Sequence, residues 1–393
     1  MNELTLSRVK PLTATFAYYV AFITLGATMS LTGPALPWLA QQTSSRLDQI
    51  SIIFVASSLG YMTGSQLGGR AYDRFPGHRI QALGLLGISI SSALVPVLHS
   101  LWFLVAVIFF LGTFQGALDA GCNTLLTWIH GVKVGPYMNG LHFFYGIGSF
   151  VAPLIFARVI LVAKDISWAY WIFSILTLPV VIWFWFLPSI NVRRRMVEQS
   201  NGRLNLGPFL LIVLFFIFIV GLELGFGNWI FTFSAHLHLV SEIGAAYLTS
   251  AFWGAFTVGR LLGIGISSRL RSHTILFIDL AGCLTAFAIL LVWPVSSLAL
   301  WGGTILMGLS IASVFATAMS FAEQRLTLTG DLVGWILVGG GIGGMIFPWL
   351  IGQLFESISP RVTMPILLSA SLIALGILLT LIPRKKNETI NGV

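Results

Sequence analysis

The stretch Phe114-Gln115-Gly116-Ala117-Leu118-Asp119-Ala120-Gly121-Cys122-Asn123 lies inside an apolar run from about residue 101 to 128, long enough to cross a bilayer as one helix. An ionised Asp in that position costs about 2.5–3.5 kcal/mol on membrane-insertion scales, so its presence requires a reason. Gln115, Asp119 and Asn123 are spaced by four residues and share one helix face. Because small residues surround them and permit close helix packing, we predict that this polar face points into protein rather than lipid.

Two interpretations of this polar face follow from the residues alone. Polar and charged side chains inside a membrane commonly mark a binding site or an ion pathway. The alternative is an interhelical clamp, whose hydrogen bonds only hold the bundle together. If Asp119 only clamps, its replacement by Asn alters stability and leaves activity unchanged.

The composition of the whole chain is that of a polytopic membrane protein. Of the 393 residues, 56% are hydrophobic and 9% are charged, with a mean hydropathy of +0.92, whereas a soluble domain carries about 25% charged residues. The net charge of +8 comes from basic residues in short loops, which favours a membrane topology over nucleic-acid binding. Both cysteines, Cys122 and Cys283, lie in apolar runs, so neither a disulfide framework nor a zinc site is expected.

Apolar segments of membrane-spanning length recur twelve times along the sequence. The longest polar interruption, from Ser189 to Leu206, divides them into six plus six. We therefore predict an all-α polytopic membrane protein with a six-helix half at 1–188, a cytoplasmic linker at 189–207 and a six-helix half at 208–393. The predicted spans are 12–33, 49–69, 79–98, 101–128, 137–160, 168–187, 208–233, 245–268, 273–293, 297–320, 331–354 and 362–382.

The distribution of Lys and Arg predicts the orientation of these spans. With the N-terminus inside, the inner loops and termini hold sixteen Lys and Arg residues and the outer loops hold four. Because basic residues accumulate on the cytoplasmic side, we predict that both termini are cytoplasmic. We expect a multi-pass protein of the plasma membrane, which in a bacterium is the inner membrane.

An internal repeat relates the two predicted halves. Shifting the sequence by 195 residues places seven glycines of the first half on glycines of the second, and Pro153 falls on Pro348. Gly and Pro are the residues that close backbone approach and kinks require. An even number of spans separates the copies, so the repeats are parallel. Two such six-helix repeats flanking a midplane site describe the major facilitator architecture, for which we expect a monomer.

The loop between the second and third spans carries a family resemblance. Its sequence, Gly69-Arg70-Ala71-Tyr72-Asp73-Arg74-Phe75-Pro76-Gly77-His78-Arg79, resembles the signature loop of the major facilitator superfamily with one extra residue near Pro76. Physically, Asp73 can cap a helix N-terminus across the interface between the halves, and the arginines suit an anionic inner leaflet. The resemblance implies a conformational latch of the outward-facing state that includes Gly69, Asp73, Arg74 and Arg79. The alternative is a basic cytoplasmic turn without a special role.

A narrower resemblance covers most of the chain. Asp119 and Asn123 match an acid-x-x-x-Asn pattern in the fourth span, and Gly221-x-Glu223-x-x-x-Gly227-x-Trp229 matches a pattern in the seventh. With the run around His142, these stretches resemble the sodium-dependent glucose transporter family, near the fucose permeases. One departure is Gly33, because fucose permeases carry an Asp before the corresponding proline. The resemblance therefore does not imply proton symport through a carboxylate at this position.

The resemblance implies a sugar substrate, and sugars are bound by planar polar groups together with an aromatic face. As a set that converges on the midplane, the candidate substrate-binding residues are Gln115, Asn123, His142, Tyr145, Glu223, Asn228, Trp229, Trp253 and Trp335. The candidates for ion coupling are Asp119, with Asn123 beside it, and Glu223. A buried carboxylate suits either a sodium ion or a proton. For each single Trp, packing or interfacial anchoring is the competing interpretation, and His142 is equally suited to an interior hydrogen bond.

Arg260 is the only basic residue predicted to lie inside the membrane. We predict that it forms a structural ion pair rather than extending toward the inner membrane surface. Asp279 is the candidate partner, and a cap at the inner end of the ninth span is the alternative role for Asp279. The run Gly339 to Gly344 formally contains Gly-x-Gly-x-x-Gly but follows no predicted strand, so it does not indicate dinucleotide binding. The sequence holds no nucleotide-binding P-loop, no His-Glu-x-x-His and no Gly-x-Ser-x-Gly, and we predict neither an enzyme nor a cofactor.

Taken together, the sequence predicts a secondary active transporter of the major facilitator type that moves a sugar, such as a hexose, by alternating access. Sodium or protons are the candidate coupling ions. Two alternatives remain open: an efflux transporter for amphipathic small molecules, and a membrane receptor that binds its ligand without moving it.

Overall fold

The computed structural model describes residues 10–72, 74–188, 206–326 and 330–382, and these residues fold into α-helices joined by short turns. Asp73 and most of the predicted linker, residues 189–205, lie outside the described residues. Within the described residues the helices are α1 (Pro11–Ser30), α2 (Thr32–Gln42), α3 (Leu47–Ile50), α4 (Ile52–Tyr72), α5 (Gly77–Leu94), α6 (Leu101–His130), α7 (Val134–Ala163), α8 (Ser167–Phe186), α9 (Leu206–His236), α10 (Glu242–Ser267), α11 (Ser272–Val292), α12 (Ser297–Ile311), α13 (Val314–Glu323), α14 (Gly330–Ser357) and α15 (Thr363–Leu381).

Ten stretches of the described chain are long and apolar enough to cross a membrane. One of them, the 63-residue stretch Leu101–Ala163, contains two helices, α6 and α7. The 26-residue α10, which contains Arg260, is not among the ten, but it is about 39 Å long at 1.5 Å per residue and can also span. Joining α1 to α2, α3 to α4 and α12 to α13 gives twelve long helical segments, which agrees with the predicted number of spans.

The first span extends further than predicted. It was expected to end at residue 33, but α1 continues through Leu31 into α2 and reaches Gln42. Leu31 keeps right-handed helical backbone angles, and its carbonyl accepts the Ala35 N–H at 3.1 Å, so the helical path is maintained across the junction. Pro34 lies in the first turn of α2, where its missing N–H costs little.

Each half packs by the same kinds of contact. In the first half (residues 10–188) α1 packs against α7 and α4 against α6, and in the second half (residues 206–382) α9 packs against α14 and α10 against α12. Pro153 lies inside α7 and Pro348 inside α14. The halves meet where α7 contacts α10, α4 contacts α14 and α2 contacts α9. The internal sequence repeat itself stays a prediction.

A buried polar network ties the first half together near the predicted latch loop. His78 is fully buried at the start of α5. One ring nitrogen lies 2.6 Å from the Tyr18 hydroxyl of α1, and the other lies 2.7 Å from the Pro188 carbonyl after α8. These partners satisfy both ring nitrogens, as a buried imidazole requires. The network fixes the ends of three helices relative to one another.

The closest helix pair in the first half depends on a glycine. At Gly64 of α4, a Cβ atom would overlap the Thr113 carbonyl oxygen of α6. Small residues at such positions allow helix backbones to approach closely, which is a main source of packing energy in membranes. This approach positions α6, and with it Asp119, against α4.

We expect Gly64→Ala to lower the thermal unfolding temperature of the purified protein, because the added methyl group pushes α4 from α6. Overpacking of this kind costs about 1–3 kcal/mol. Gly376→Ala in α15 is the matched control, because a Cβ atom there meets no atom within 4 Å. Equal melting temperatures for the two variants would contradict the close contact.

Candidate functional site

Asp119 lies in α6 within a set of hydrogen bonds. Its carboxylate accepts a short hydrogen bond from the Tyr61 hydroxyl of α4. It also accepts one from the Asn123 side-chain amide at 2.9 Å, and that amide donates to the Asp119 main-chain oxygen at 2.9 Å as well. Asp119 and Asn123 are half-buried. Tyr61 and Asn123 are neutral. They orient the carboxylate but do not compensate its negative charge.

Gln115 does not share this environment. It is 3% exposed, and its amide donates to the Thr28 hydroxyl of α1 at 3.0 Å. The side chain is therefore a contact between α6 and α1, and it offers almost no surface to a substrate in this conformation. Of the three polar residues predicted on one face, Gln115 acts as a clamp, whereas Asp119 and Asn123 form a separate pair.

Glu223 lies in the middle of α9 and is half-buried. Among the described residues its carboxylate has no hydrogen-bond donor. Asn228, five residues further along, is also half-buried and donates to the Leu224 carbonyl of its own helix at 2.9 Å. Glu223 thus differs from Asp119 in that neither carboxylate oxygen accepts a hydrogen bond from a residue that the structure describes.

Arg260 of α10 lies close to both carboxylates but does not bind either directly. Its guanidinium carbon is 4.5 Å from the centre of the Phe256 ring. Its positive charge acts electrostatically on Asp119, His142, Tyr145 and Glu223. Within the described residues, no carboxylate oxygen lies within 4.0 Å of it.

The predicted ion pair between Arg260 and Asp279 is therefore wrong for this conformation. Asp279 of α11 instead accepts a short hydrogen bond from Ser313, at the junction of α12 and α13. Asp279 also borders a cavity of about 260 Å³, whose lining is mainly apolar and includes Leu262, Ile266 and Leu309. The hydroxyl at the helix junction satisfies the carboxyl group locally, so Asp279 needs no cation.

Three ring-bearing candidates lie near these charges. Tyr145 of α7 and Trp253 of α10 meet edge to face, with ring centres 6.4 Å apart across the two halves. The Trp253 side chain is 4% exposed, and its indole N–H has no acceptor among the described residues. His142 of α7 packs edge-on against Phe22 and, within the same part of the chain, has no hydrogen-bond partner.

Two predicted substrate-binding tryptophans do not join this group. Trp229 is fully buried, donates its indole N–H to the Pro348 carbonyl at 2.8 Å and packs against Phe54 and Phe355. It has no face free for a sugar in this conformation. Trp335 is the sixth residue of α14 and is 60% exposed, so it lies near a helix end rather than at its middle.

We refer to Tyr61, Asp119, His142, Tyr145, Glu223 and Arg260 as the central polar cluster. The first four belong to the first half and the last two to the second half. Sequence reasoning missed Tyr61, although a hydroxyl-bearing residue in the middle of the second predicted span is a usable signal. Chemically, the cluster offers carboxylate and hydroxyl oxygens, which suit a hard monovalent cation or a proton.

Gly33 in α2 explains the departure from the fucose-permease pattern. A Cβ atom at Gly33 would lie 2.7 Å from the Asn228 carbonyl oxygen of α9 and 2.8 Å from its Cα atom. Any side chain there, including the Asp expected from the pattern, would collide with the α9 backbone. This conformation therefore has no room for a carboxylate at position 33.

The two halves are joined at one end of the bundle by hydrogen bonds that the sequence did not predict. Glu356 at the end of α14 pairs with Arg46 at 3.2 Å and accepts the Leu47 N–H at 3.1 Å. Gln353 donates to the Asp48 carbonyl at 2.6 Å and to the Ser51 hydroxyl at 3.1 Å. We call this the closed end. A single sequence gives no signal for pairs that lie about three hundred residues apart.

Within the described residues, the predicted latch residues Arg74 and Arg79 form no ion pair with the second half in this conformation. Arg74 and Arg79 are exposed, and within the described residues neither lies within 4.0 Å of a carboxylate oxygen. Gly69 is also exposed, and a Cβ atom there would meet no atom within 4 Å. Asp73 lies outside the described residues, so its predicted capping role stays a prediction.

Comparison with known proteins places the chain in a family context. The family model described as Major Facilitator Superfamily matches residues 18–348. The sodium-dependent glucose transporter 1A of Mus musculus is 27% identical over 86% of this chain and 88% of its own length. Major facilitator superfamily domain-containing protein 4A of the same species is 24% identical over 91% of this chain and 88% of its own. The crystal structure of a mutant of the nucleoside transporter NupG superposes with a TM-score of 0.78 at 15% identity, covering 95% of this chain and 100% of that one, which shows a shared fold.

We expect Trp229→Phe to lower the unfolding temperature and leave substrate affinity unchanged, because Trp229 packs within the bundle and donates to Pro348. Loss of that hydrogen bond costs about 0.5–1.5 kcal/mol. Melting curves and the concentration dependence of transport check the two effects separately. Trp253→Phe is the matched variant, and it is expected to weaken substrate binding, since its indole N–H is unpaired among the described residues. A larger affinity loss in Trp229→Phe than in Trp253→Phe would contradict this assignment.

Proposed function

We infer the function from the family: the chain belongs to the Major Facilitator Superfamily, and it is a multi-pass membrane transporter rather than an enzyme. We propose that it is a secondary active transporter that moves a hexose such as glucose by alternating access. We further propose that transport is coupled to sodium or protons at Asp119, in the plasma membrane or the bacterial inner membrane. The likeness to sodium-dependent glucose transporters supports the substrate class.

The observation that carries the proposal is the central polar cluster, in which charged groups from both halves face one another. Asp119 comes from α6, whereas Glu223 and Arg260 come from α9 and α10. Burying such groups in a membrane protein is costly, so charged residues there mark substrate or ion pathways. A site shared between the halves changes its surroundings when the halves move, as alternating access requires.

Unpaired polar groups around the cluster suit a sugar. The half-buried Glu223 carboxylate and His142 ring and the buried Trp253 indole N–H have no hydrogen-bond partner within the described residues. Sugar hydroxyls both donate and accept, so they can satisfy all three, and the buried Trp253 N–H costs free energy until it is satisfied. The half-buried Tyr145 ring, held edge to face against Trp253, supplies apolar surface for the C–H face of a hexose.

The cation is best placed at Asp119. Its carboxylate is held by Tyr61 and Asn123, neither of which carries a positive charge. A preorganised carboxylate beside neutral oxygen and amide groups can take up a sodium ion or a proton without first breaking an ion pair. Glu223 is the second candidate, since its oxygens have no donor within the described residues.

The conformation suggests a direction of opening. If the termini are cytoplasmic, as the distribution of basic residues predicts, the closed end faces outward and the molecule is inward-facing. The family resemblance assigns the latch loop to the outward-facing state, which agrees with the exposed Arg74 and Arg79. The contacts of Arg46, Glu356 and Gln353 would then be the outer gate.

We expect proteoliposomes that contain the protein to take up labelled glucose faster with an inward sodium or proton gradient than without one. Asp119→Asn should abolish this stimulation, because an amide can neither titrate nor neutralise a cation. Asp279→Asn is the matched control, since Asp279 is an acid within the bundle that binds Ser313 away from the cluster. It should retain the stimulation.

The other outcomes of this experiment are equally informative. Uptake that is independent of both gradients identifies an uncoupled facilitator and contradicts coupling at Asp119. Unchanged coupling in Asp119→Asn, with reduced stability, makes Asp119 a clamp. Absence of uptake for every hexose overturns the sugar proposal and favours efflux of amphipathic compounds or a receptor that does not transport.

We expect Glu356→Gln to shift the protein toward the outward-open state, because it removes the charge that pairs with Arg46. An exposed ion pair is worth about 0–1 kcal/mol, which corresponds to at most about a fivefold change in the equilibrium. The measurement is the rate at which an impermeant maleimide, added outside, labels Asn228→Cys in a background without Cys122 and Cys283. Glu242→Gln is the control, since Glu242 at the same end forms no ion pair with any described residue. Equal rates in the two variants would contradict the gate.

A further inference from the structure

Arg260 is a half-buried cation without a bound counter-ion among the described residues. Its Nε atom is inaccessible to solvent and has no hydrogen-bond acceptor in the same part of the chain. Its guanidinium group lies over the Phe256 ring, with 4.5 Å between the guanidinium carbon and the ring centre. Its side chain is otherwise half-buried. An aromatic face attracts a cation but supplies no negative charge.

The groups that feel the charge of Arg260 are the other members of the central polar cluster. Asp119 and Glu223 are the acids among them, and His142 and Tyr145 are the remaining titratable partners. Tyr61 reaches the same site through its hydrogen bond to Asp119. Counted with both carboxylates ionised and before any proton or metal cation binds, the two acids and one guanidinium group give the cluster a formal charge of −1.

The stacking on Phe256 determines how Arg260 compensates this charge. No described carboxylate oxygen lies within 4.0 Å of the Arg260 side-chain nitrogens. Arg260 therefore does not pair with one of the two acids and leave the other without compensation. Its field acts on both acids at once, and the oxygens of both stay available to a ligand. Where the dielectric constant is low, the Coulomb interaction between charged groups that are not in contact remains strong.

We propose that Arg260 is the fixed counter-cation of the Asp119 and Glu223 pair, and that it determines how many monovalent cations the cluster binds. Replacement of Arg260 by a neutral side chain then adds one bound cation, since the charge that it supplied must come from solution. The inference rests on the proposed function for the existence of a coupling cation. It does not depend on which substrate is carried.

The test counts the bound cations through their effect on thermal stability. A ligand that binds the folded state raises its stability with the logarithm of ligand concentration, in proportion to the number of ions bound. Unfolding temperatures of the purified full-length chain are measured against sodium concentration at fixed pH, with choline holding the ionic strength. They are then measured against pH at fixed sodium concentration. The sodium series and the pH series distinguish the two candidate cations. The change in the sum of the two slopes between a variant and the unmodified protein gives the change in the number of cations bound, since the other titrating groups are common to both.

For R260Q we expect the total slope to correspond to one more bound cation than the slope of the unmodified protein. The double variant R260Q/E223Q should return to the original slope, because it again carries a net charge of −1. R260K should keep the original slope, since it keeps the charge and loses only the planar group. R269Q is the control for loss of an arginine away from the cluster, since Arg269 is exposed just after α10 and forms no ion pair with any described residue, and its slope should not change.

Several results would overturn the inference. These are an unchanged slope in R260Q, a slope that the added E223Q substitution does not restore, and an R260K slope equal to that of R260Q. If R260Q does not fold, E223Q alone decides, because a slope smaller by one cation supports the charge balance and an unchanged slope refutes it. A zero slope for the unmodified protein in both series also refutes it.

These outcomes are separable from those of the proposed function. Expected slopes without hexose uptake refute the sugar proposal and leave the role of Arg260 standing. Coupled glucose uptake with an unchanged slope in R260Q refutes the role of Arg260 alone.

Discussion

The cost of placing charge inside a bilayer is the constraint on which the rest of this structure depends. Lipid offers neither water nor counter-ions, so each charged side chain must find its compensation within the protein. Asp279 finds it locally in Ser313, whereas Asp119, Glu223 and Arg260 share theirs across the two halves. The Asp279 contact is complete within the second half. The compensation among Asp119, Glu223 and Arg260 depends on how the two halves are placed, so the electrostatic energy of these residues changes with the conformation.

The helix packing supports this arrangement at several levels. Close approach of α4 to α6 places Tyr61 where its hydroxyl reaches Asp119. The contact of α7 with α10 brings Tyr145 to Trp253 across the two halves. Buried clamps such as Gln115 to Thr28 and Trp229 to Pro348 fix the helices around the cluster. Polar residues in this bundle thus fall into two groups, one that holds helices and one left open to a ligand.

More of the fold than of the functional site could be predicted from the sequence. Hydropathy alone marks the spans, because the bilayer requires a fixed length of apolar helix, and Asp119, Glu223 and Arg260 stand out because charge is rare in such helices. The sequence could not show that Gln115 faces α1 or that Trp229 is enclosed, since both depend on which helices become neighbours. Arg260 was assigned the wrong partner for the same reason. Arg46 and Glu356 lie too far apart in the chain for any local pattern to connect them.

The contact of Gly33 with the Asn228 backbone has a mechanical consequence. It lies between the cluster and the closed end, and no side chain stands between α2 and α9 at this point. The side-chain contact between these helices lies five residues further along α2, where the Trp38 ring packs against Phe231 of α9 with ring centres 5.6 Å apart. At Gly33 itself no side chain interlocks, so the helices can pivot there while the ring contact keeps them together. The contact at Gly33 would then act as a fulcrum, so that a small displacement of the helices at the cluster becomes a larger one at their ends. Keeping position 33 free of a side chain would preserve that lever.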